Sequence, residues 1–335
     1  MPLSSSIPEA VARAAERLAP APVTTIEEVR KGGNSRVFKL TTAAGPYALK
    51  KYPPEDTRDR QGAEARALAF FARAKIERTP RLIAADADAR ASLLSWIDGA
   101  AIAEVTDADI AQFARFQIDL DRAIDAPARR EIGPAAEAGI SGARILAHIH
   151  ARSGPLAAFG ERIPEVRAFL ASRFLPALTV AEERARRIYG DLELDFAADR
   201  PLDTQTLIAS DFGAHNALRS ADGQLAFLDF EYFGWDDPLT SIGNFVFHPG
   251  MQLMPHHRGL YQDAILAHFG TAHAERLSAL LPLFALRWCA IILSELLPER
   301  QTHRGAANAT IGDRTEILLH QLAKADRLLK EIDQP

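Results

Sequence analysis

The chain has 335 residues, 47 % hydrophobic and 25 % charged, with a formal net charge of −5 and one cysteine. This is the composition of a soluble globular protein long enough for two domains or two lobes. The lone thiol, Cys289, excludes an internal disulfide framework and a cysteine-based zinc site, and fits a reducing compartment.

The first twenty residues, MPLSSSIPEAVARAAERLAP, lack the apolar region of a signal peptide. Ile7, Ala10, Val11, Ala14 and Leu18 recur at helical spacing and predict a surface helix. Strands are expected at Thr24–Arg30 and Ser35–Thr41, separated by Lys31-Gly32-Gly33-Asn34, and at Tyr47–Lys51 after a Gly45-Pro46 turn. A helix follows from about Thr57 to Ala74, with Ala63, Ala67, Phe70 and Phe71 on one side, and then strands at Leu82–Ala85 and Ala91–Ile97.

Beyond Asp98-Gly99 the pattern turns helical, at Val105–Ile124, Gly142–Arg152, Glu165–Arg173 and Val180–Tyr189. Two short strands, Ala217–Arg219 and Gln224–Asp229, are joined through Ala221-Asp222-Gly223, an Asp-Gly hairpin signal. Helices return at about Gln252–Phe269, Ala272–Leu297 and Ala306–Ile332. The most apolar run, Leu280–Leu297, is broken by Pro282, Arg287 and Glu295, which predicts a buried helix rather than a membrane span; the expected location is cytoplasmic.

These elements describe an α+β chain in two lobes. A small β-rich N-lobe with one long helix (1–95) leads through a hinge (96–99) to a larger, mostly helical C-lobe with one hairpin (100–335). Residues 1–95 carry 16 Lys/Arg against 11 Asp/Glu, and the remainder 23 against 33. A basic first part and an acidic second part argue against a nucleic-acid partner.

Two lobes invite a nucleotide reading. Gly33, Asn34 and Ser35 lie between two strands, where a glycine turn brings backbone N–H groups to phosphate oxygens. Ala48 and Lys50, two apart in a strand, share a face: a small side chain leaves room for a base and an ammonium reaches phosphates. Glu64 on the following helix is placed to hold Lys50 extended. Backbone groups near Ser95 and Ile97 are candidates for reading an adenine edge.

The stretch SDFGAHNALRSADGQLAFLDFEYFGWDDP then supplies Asp-x-x-x-x-Asn, a hairpin, and an Asp on the way out of the second strand. In a kinase-like catalytic loop that order assigns Asp211 to the acceptor hydroxyl, and Asn216 and Asp229 to Mg²⁺. Glu231, two residues after Asp229, shares its face if the strand continues. The absence of GxxxxGK[ST] argues against a P-loop, and the absence of G-x-S-x-G against a hydrolase elbow.

With GGNSRVFKL, YALKKY, GAEARALAFF, LLSWIDG, DFGAHNAL and LDFEYFGWDDP, the chain resembles the aminoglycoside phosphotransferase and choline kinase-like family over nearly its whole length. The resemblance implies a bilobal protein-kinase-like fold and ATP- and Mg²⁺-dependent phosphorylation of a small-molecule hydroxyl. Trp235, Asp236 and Asp237, with Pro238, resemble the family's Gly-Asp-Pro element, in which Asp237 would brace the catalytic loop; Glu231, Trp235, Asp236 and Asp237 are candidates either to touch the substrate or to support the residues that do. Two positions depart from the family. Ala209-Ser210 replaces His-Gly, and Ser241 replaces an acid. Those departures are the evidence for the alternative, a nucleotide-binding pseudokinase. The acidic C-lobe tolerates an amino sugar or amino alcohol as acceptor, with a neutral sugar or a hydroxy amino acid as the other candidates. No membrane partner is expected. His248, His256 and His257 lack both Cys companions and His-x3-His spacing, and are read as loop residues.

Overall fold

The computed structural model describes residues 7–31, 35–53, 58–251, 253–298 and 314–332. Gly33 and Asn34, the expected helix start at Thr57, Gln252, and the stretch 306–313 of the last helix lie outside the described residues. The chain forms two compact units, neither contiguous in sequence. The first comprises Met1–Ile102, Asp125–Gly133 and Asn216–Gly234; the second comprises Ala103–Ile124, Pro134–His215 and Trp235–Pro335. The hairpin, which the linear reading grouped with the C-lobe, thus clusters with the small sheet.

The first unit is built on an antiparallel sheet of β1 (Val23–Lys31), β2 (Arg36–Thr42), β3 (Gly45–Lys51), β4 (Leu82–Asp86) and β5 (Ala91–Ser95), in the order β1-β2-β3-β5-β4. Its period-2 alternation sends Phe38, Leu40, Leu49 and Leu93 to one face. There they meet Val11, Ala14 and Ala15 of the amphipathic helix α1 (Glu9–Leu18). Lys50, adjacent to Leu49, must point to the opposite face. It is nevertheless buried. That burial requires partners, and helix α2 (Arg60–Ala74) provides one of them.

The start of α2 is fixed by Asp59, whose side chain accepts the Gly62 N–H at 3.0 Å. A Cβ at Gly62 would sit 2.2 Å from Asp59 Oδ2, so a larger residue there would make the capping carboxylate shift. The short strands β6 (Ala100–Ala101), β8 (Ala217–Arg219) and β9 (Leu225–Phe227) form a second sheet in the order β6-β8-β9. The chain leaving β9 is held on α2 by aromatic contacts: Phe71–Phe230 at 4.7 Å and Phe71–Phe233 at 5.3 Å, both edge-on. These rings set the position of Asp229, the residue just before Phe230.

The second unit is helical, with α3 (Asp107–Arg122), α5 (Gly142–Gly160), α6 (Pro164–Phe169), α7 (Leu175–Asp191), α8 (Pro238–Phe247), α9 (Pro255–Phe269), α10 (Ala274–Ser294) and α11 (Arg314–Ile332); α4 (Ala126–Glu131) belongs to the first unit. Strands β7 (Thr206–Ile208) and β10 (Gly234–Asp236) pair with each other. Phe113, Phe174, Phe245, Tyr261 and Phe284 are fully buried.

Three sequence expectations change here. The break expected between 173 and 180 is closed by a π-turn, Leu170–Phe174, which joins α6 to α7. Helix α5 runs on past Arg152 through Pro155. Helix α8 was not anticipated: nearly every residue in it is buried, so it has no apolar stripe to read. The segment Thr271–Ser294 is long and apolar enough to cross a membrane, but 78 % of its apolar window is buried, as in the core helix of a folded protein.

Candidate active site

In the first unit the ammonium of Lys50 lies 2.9 Å from Glu64 Oε2, 2.7 Å from Asp229 Oδ1 and 3.2 Å from Glu231 Oε2. Further donors complete the group. Tyr52 donates its hydroxyl to Glu64, Phe230 donates its backbone N–H to Glu64 Oε1 at 3.1 Å, and Ser35 donates its hydroxyl to Glu231 Oε2 at 2.7 Å. Arg60 pairs with the other oxygen of Glu231. Burial alone would lower the Lys50 pKa, but Asp229 and Glu64 outweigh it and hold the ammonium charged, well above the lysine range. Burial raises the Glu64 carboxyl, against the pull of Lys50.

Among the described residues this cluster sets three carboxylates against two cations, an excess of one negative charge. Asn216 ends the turn before β8, and Asp229 follows β9 by two residues. The register Ala217↔Phe227 and the Leu228 N–H donated to the Asn216 carbonyl at 2.8 Å hold the two segments together. Oxygen donors beside excess negative charge are the chemistry Mg²⁺ takes from a protein when water and phosphate supply its other ligands, so the donor types of Asn216 and Asp229 fit that ion. Asp229 sits at φ 69°, a left-handed conformation that aspartate tolerates better than most residues.

In the second unit, Asp211 follows Ser210, itself at φ 55°. Phe212 anchors the loop, stacked on Phe116 at 5.4 Å and edge-on to Phe113 at 5.1 Å. Asp211 Oδ1 accepts from His215 Nε2 at 3.0 Å and from His248 Nε2 at 3.1 Å. Burial would raise this carboxyl, but the two imidazole hydrogen bonds prevail and hold it well below the carboxylate range.

The WDDP element is buried. Asp237 caps α8, accepting the Leu239 N–H at 2.9 Å, and pairs with the buried Arg276. Its side chain thus serves a helix cap and an ion pair. Pro238 at the first helical position makes the preceding residue an N-cap. Trp235 and Asp236 are also buried. Asp236 Oδ1 accepts the N–H groups of Gly139 at 2.8 Å and Asp237 at 2.7 Å.

Burial pushes the Asp236 carboxyl up to about 7 from 3.8, opposed mainly by Arg287. The native state therefore holds this proton over a range in which the unfolded chain has released it. Stability is expected to fall, by at most about 1.4 kcal/mol per pH unit, as pH rises between those two values, and to level off above them. Urea unfolding across that range checks this. Asp236→Asn should flatten the pH dependence, and a wild-type curve already flat there would refute it.

The nucleotide-side candidates are placed as follows. Ala48 is half-buried on β3, opposite Leu94 of β5. The Ser95 N–H is already donated to the Arg81 carbonyl at 2.9 Å, and its hydroxyl accepts the Arg81 N–H at 2.9 Å. Ile97 is half-buried in the connector between β5 and β6. Sequence reasoning missed Arg60, Tyr52, His215 and His248. His215 stands next to Asn216 and was open to notice. His248 reaches Asp211 from 37 residues away and gave no local signal.

A sequence model of the phosphotransferase enzyme family (APH) matches residues 25–280. None of the curated proteins searched matches the chain. Among solved structures, the chain is similar to the ADP-bound aminoglycoside phosphotransferase APH(2'')-Ib, at 15 % identity and TM-score 0.59 over 97 % of this chain and 98 % of that one. It is also similar to the spectinomycin phosphotransferase APH(9)-Ia in complex with ADP and spectinomycin, at 10 % identity and TM-score 0.59 over 94 % and 96 %. A third is the choline kinase LicA from Streptococcus pneumoniae, at 13 % identity and TM-score 0.58 over 96 % and 97 %. These likenesses establish the protein-kinase-like α+β fold, and with the family match covering most of its length, the chain belongs to the phosphotransferase enzyme family.

Proposed function

We propose that the protein uses ATP and Mg²⁺ to phosphorylate a hydroxyl of a small molecule, with an amino sugar or amino alcohol the leading class of acceptor. The observation that carries this is the Lys50–Glu64–Asp229 constellation: a buried ammonium braced by one carboxylate and touching another, with Asn216 close in register. Lys50 takes the α- and β-phosphate oxygens, and Glu64 keeps it extended. Asn216 and Asp229 would hold Mg²⁺, which when bound supplies charge neutralisation on the phosphates. In the transfer, the acceptor oxygen forms a bond to the γ-phosphorus as the bond to the bridging oxygen of ADP breaks. Asp211, a carboxylate held ionised, orients the acceptor hydroxyl and receives its proton late in the step.

The acidic C-terminal portion and the spectinomycin, aminoglycoside and choline acceptors named for similar structures support an amine-bearing substrate. The test is a panel of amino sugars, amino alcohols and neutral sugars with γ-labelled ATP, with and without Mg²⁺. Transfer of label to at least one amine-bearing alcohol, abolished by chelation, is the expected result. ATP binding with no acceptor labelled would sink the reading.

A further inference from the structure

His248 belongs to none of the elements expected to carry chemistry, yet its ring is 10 % exposed and lies against the residue assigned to the acceptor hydroxyl. It follows the last turn of α8. Its Nδ1 accepts the backbone N–H of Gly250 at 3.0 Å. A nitrogen that accepts carries no proton, so in the neutral ring the proton is on Nε2, the atom 3.1 Å from Asp211 Oδ1. Burial lowers the His248 pKa despite the hydrogen bond to Asp211, in keeping with that neutral ring. Two ring contacts prevent rotation: His215 stacks on it at 4.2 Å and 10°, and Trp288 meets it edge-on at 4.5 Å.

We infer that His248 is a positioning residue for phosphoryl transfer: its Nε2–H, locked by Gly250, His215 and Trp288, fixes the orientation of the Asp211 carboxylate. The inference rests on the reading of Asp211 given above and deepens it. A carboxylate that accepts two imidazole N–H bonds on one oxygen is a weak base and a rigid one. It takes the acceptor's proton only late in the step, so the hydroxyl must first be aligned for in-line attack, and that alignment is lost when the donor is lost. His215, the other donor, cannot replace His248, because its ring is itself held in place by stacking on His248.

The test uses the full chain, ADP release from MgATP with the best acceptor from the panel and with water alone as baseline, and a thermal melt for each variant. His248→Ala should lower kcat by about 10- to 100-fold with the KM for ATP unchanged. His248→Gln should recover most of that rate, because the glutamine amide nitrogen stands where Nε2 does and still donates. Nitrogen-15 spectra of the wild type should show His248 protonated on Nε2. Three results overturn the inference: wild-type kcat in His248→Ala, a His248→Gln variant as slow as His248→Ala at an unchanged melt, or a His248 ring protonated on Nδ1. A wild-type rate indifferent to Asp211→Asn sinks the reading of Asp211 and this inference with it, whereas a rate that needs Asp211 but not His248 sinks this inference alone.

Discussion

Replacing Asp211 with asparagine is expected to lower kcat by about 10²- to 10⁴-fold, the range ascribed to a positioned acid–base group. The melting temperature should change little. The asparagine oxygen still accepts from His215 and His248, and the Phe212 anchor is untouched. ATP affinity should also survive, because the phosphate-directed ammonium belongs to a different cluster. Steady-state kinetics with separate titrations of ATP and acceptor check this. A variant that transfers phosphate at the wild-type rate would remove Asp211 from the reaction, and with it the kinase-like reading of the loop.

Lys50 should behave differently, because it serves stability and activity together. Its ammonium is buried among Glu64, Asp229 and Glu231. Lys50→Met leaves those carboxylates facing one another with Arg60 as the remaining described cation. Breaking a buried ionic group in this way costs about 3–5 kcal/mol, and unfolding in urea should show a loss of that order together with loss of phosphoryl transfer. The double variant Lys50→Met/Glu64→Gln removes one of the stranded charges. It is expected to regain part of the stability and none of the activity. A Lys50→Met protein as stable as wild type would show that the network contributes nothing to the fold, and a double variant with restored transfer would show that Lys50 does not handle phosphate.

Asp229, read from sequence as a metal ligand, belongs to the same cluster. Its contact with Lys50 and its left-handed backbone make it part of the structural network as well.

Much of this protein was legible without coordinates, wherever the information is local. The five strands of the small sheet and the Asp-Gly hairpin follow from period-2 alternation and turn chemistry, and they form within a residue or two of where those patterns put them. Lys50 could be chosen over Lys51 because adjacent strand residues face opposite sides, and the side that Lys50 faces is the one carrying Glu64. The order Asp211, Asn216, hairpin, Asp229 is written in the chain itself.

What only the folded chain decided are contacts between segments far apart in sequence. Arg60 and Ser35 meet Glu231 across 171 and 196 residues, and no pattern of charges in either segment announces the other. His248 reads as a loop histidine until α8 brings it to Asp211. Helix α8 itself is unreadable because it is buried on all sides, and the periodicity that reveals a helix exists only where one face meets water. Local propensity and spacing are properties of a few neighbouring residues, so sequence determines them alone. The partner of a buried charge is chosen by which distant surface is available to replace its lost water, and that choice is made only when the chain packs.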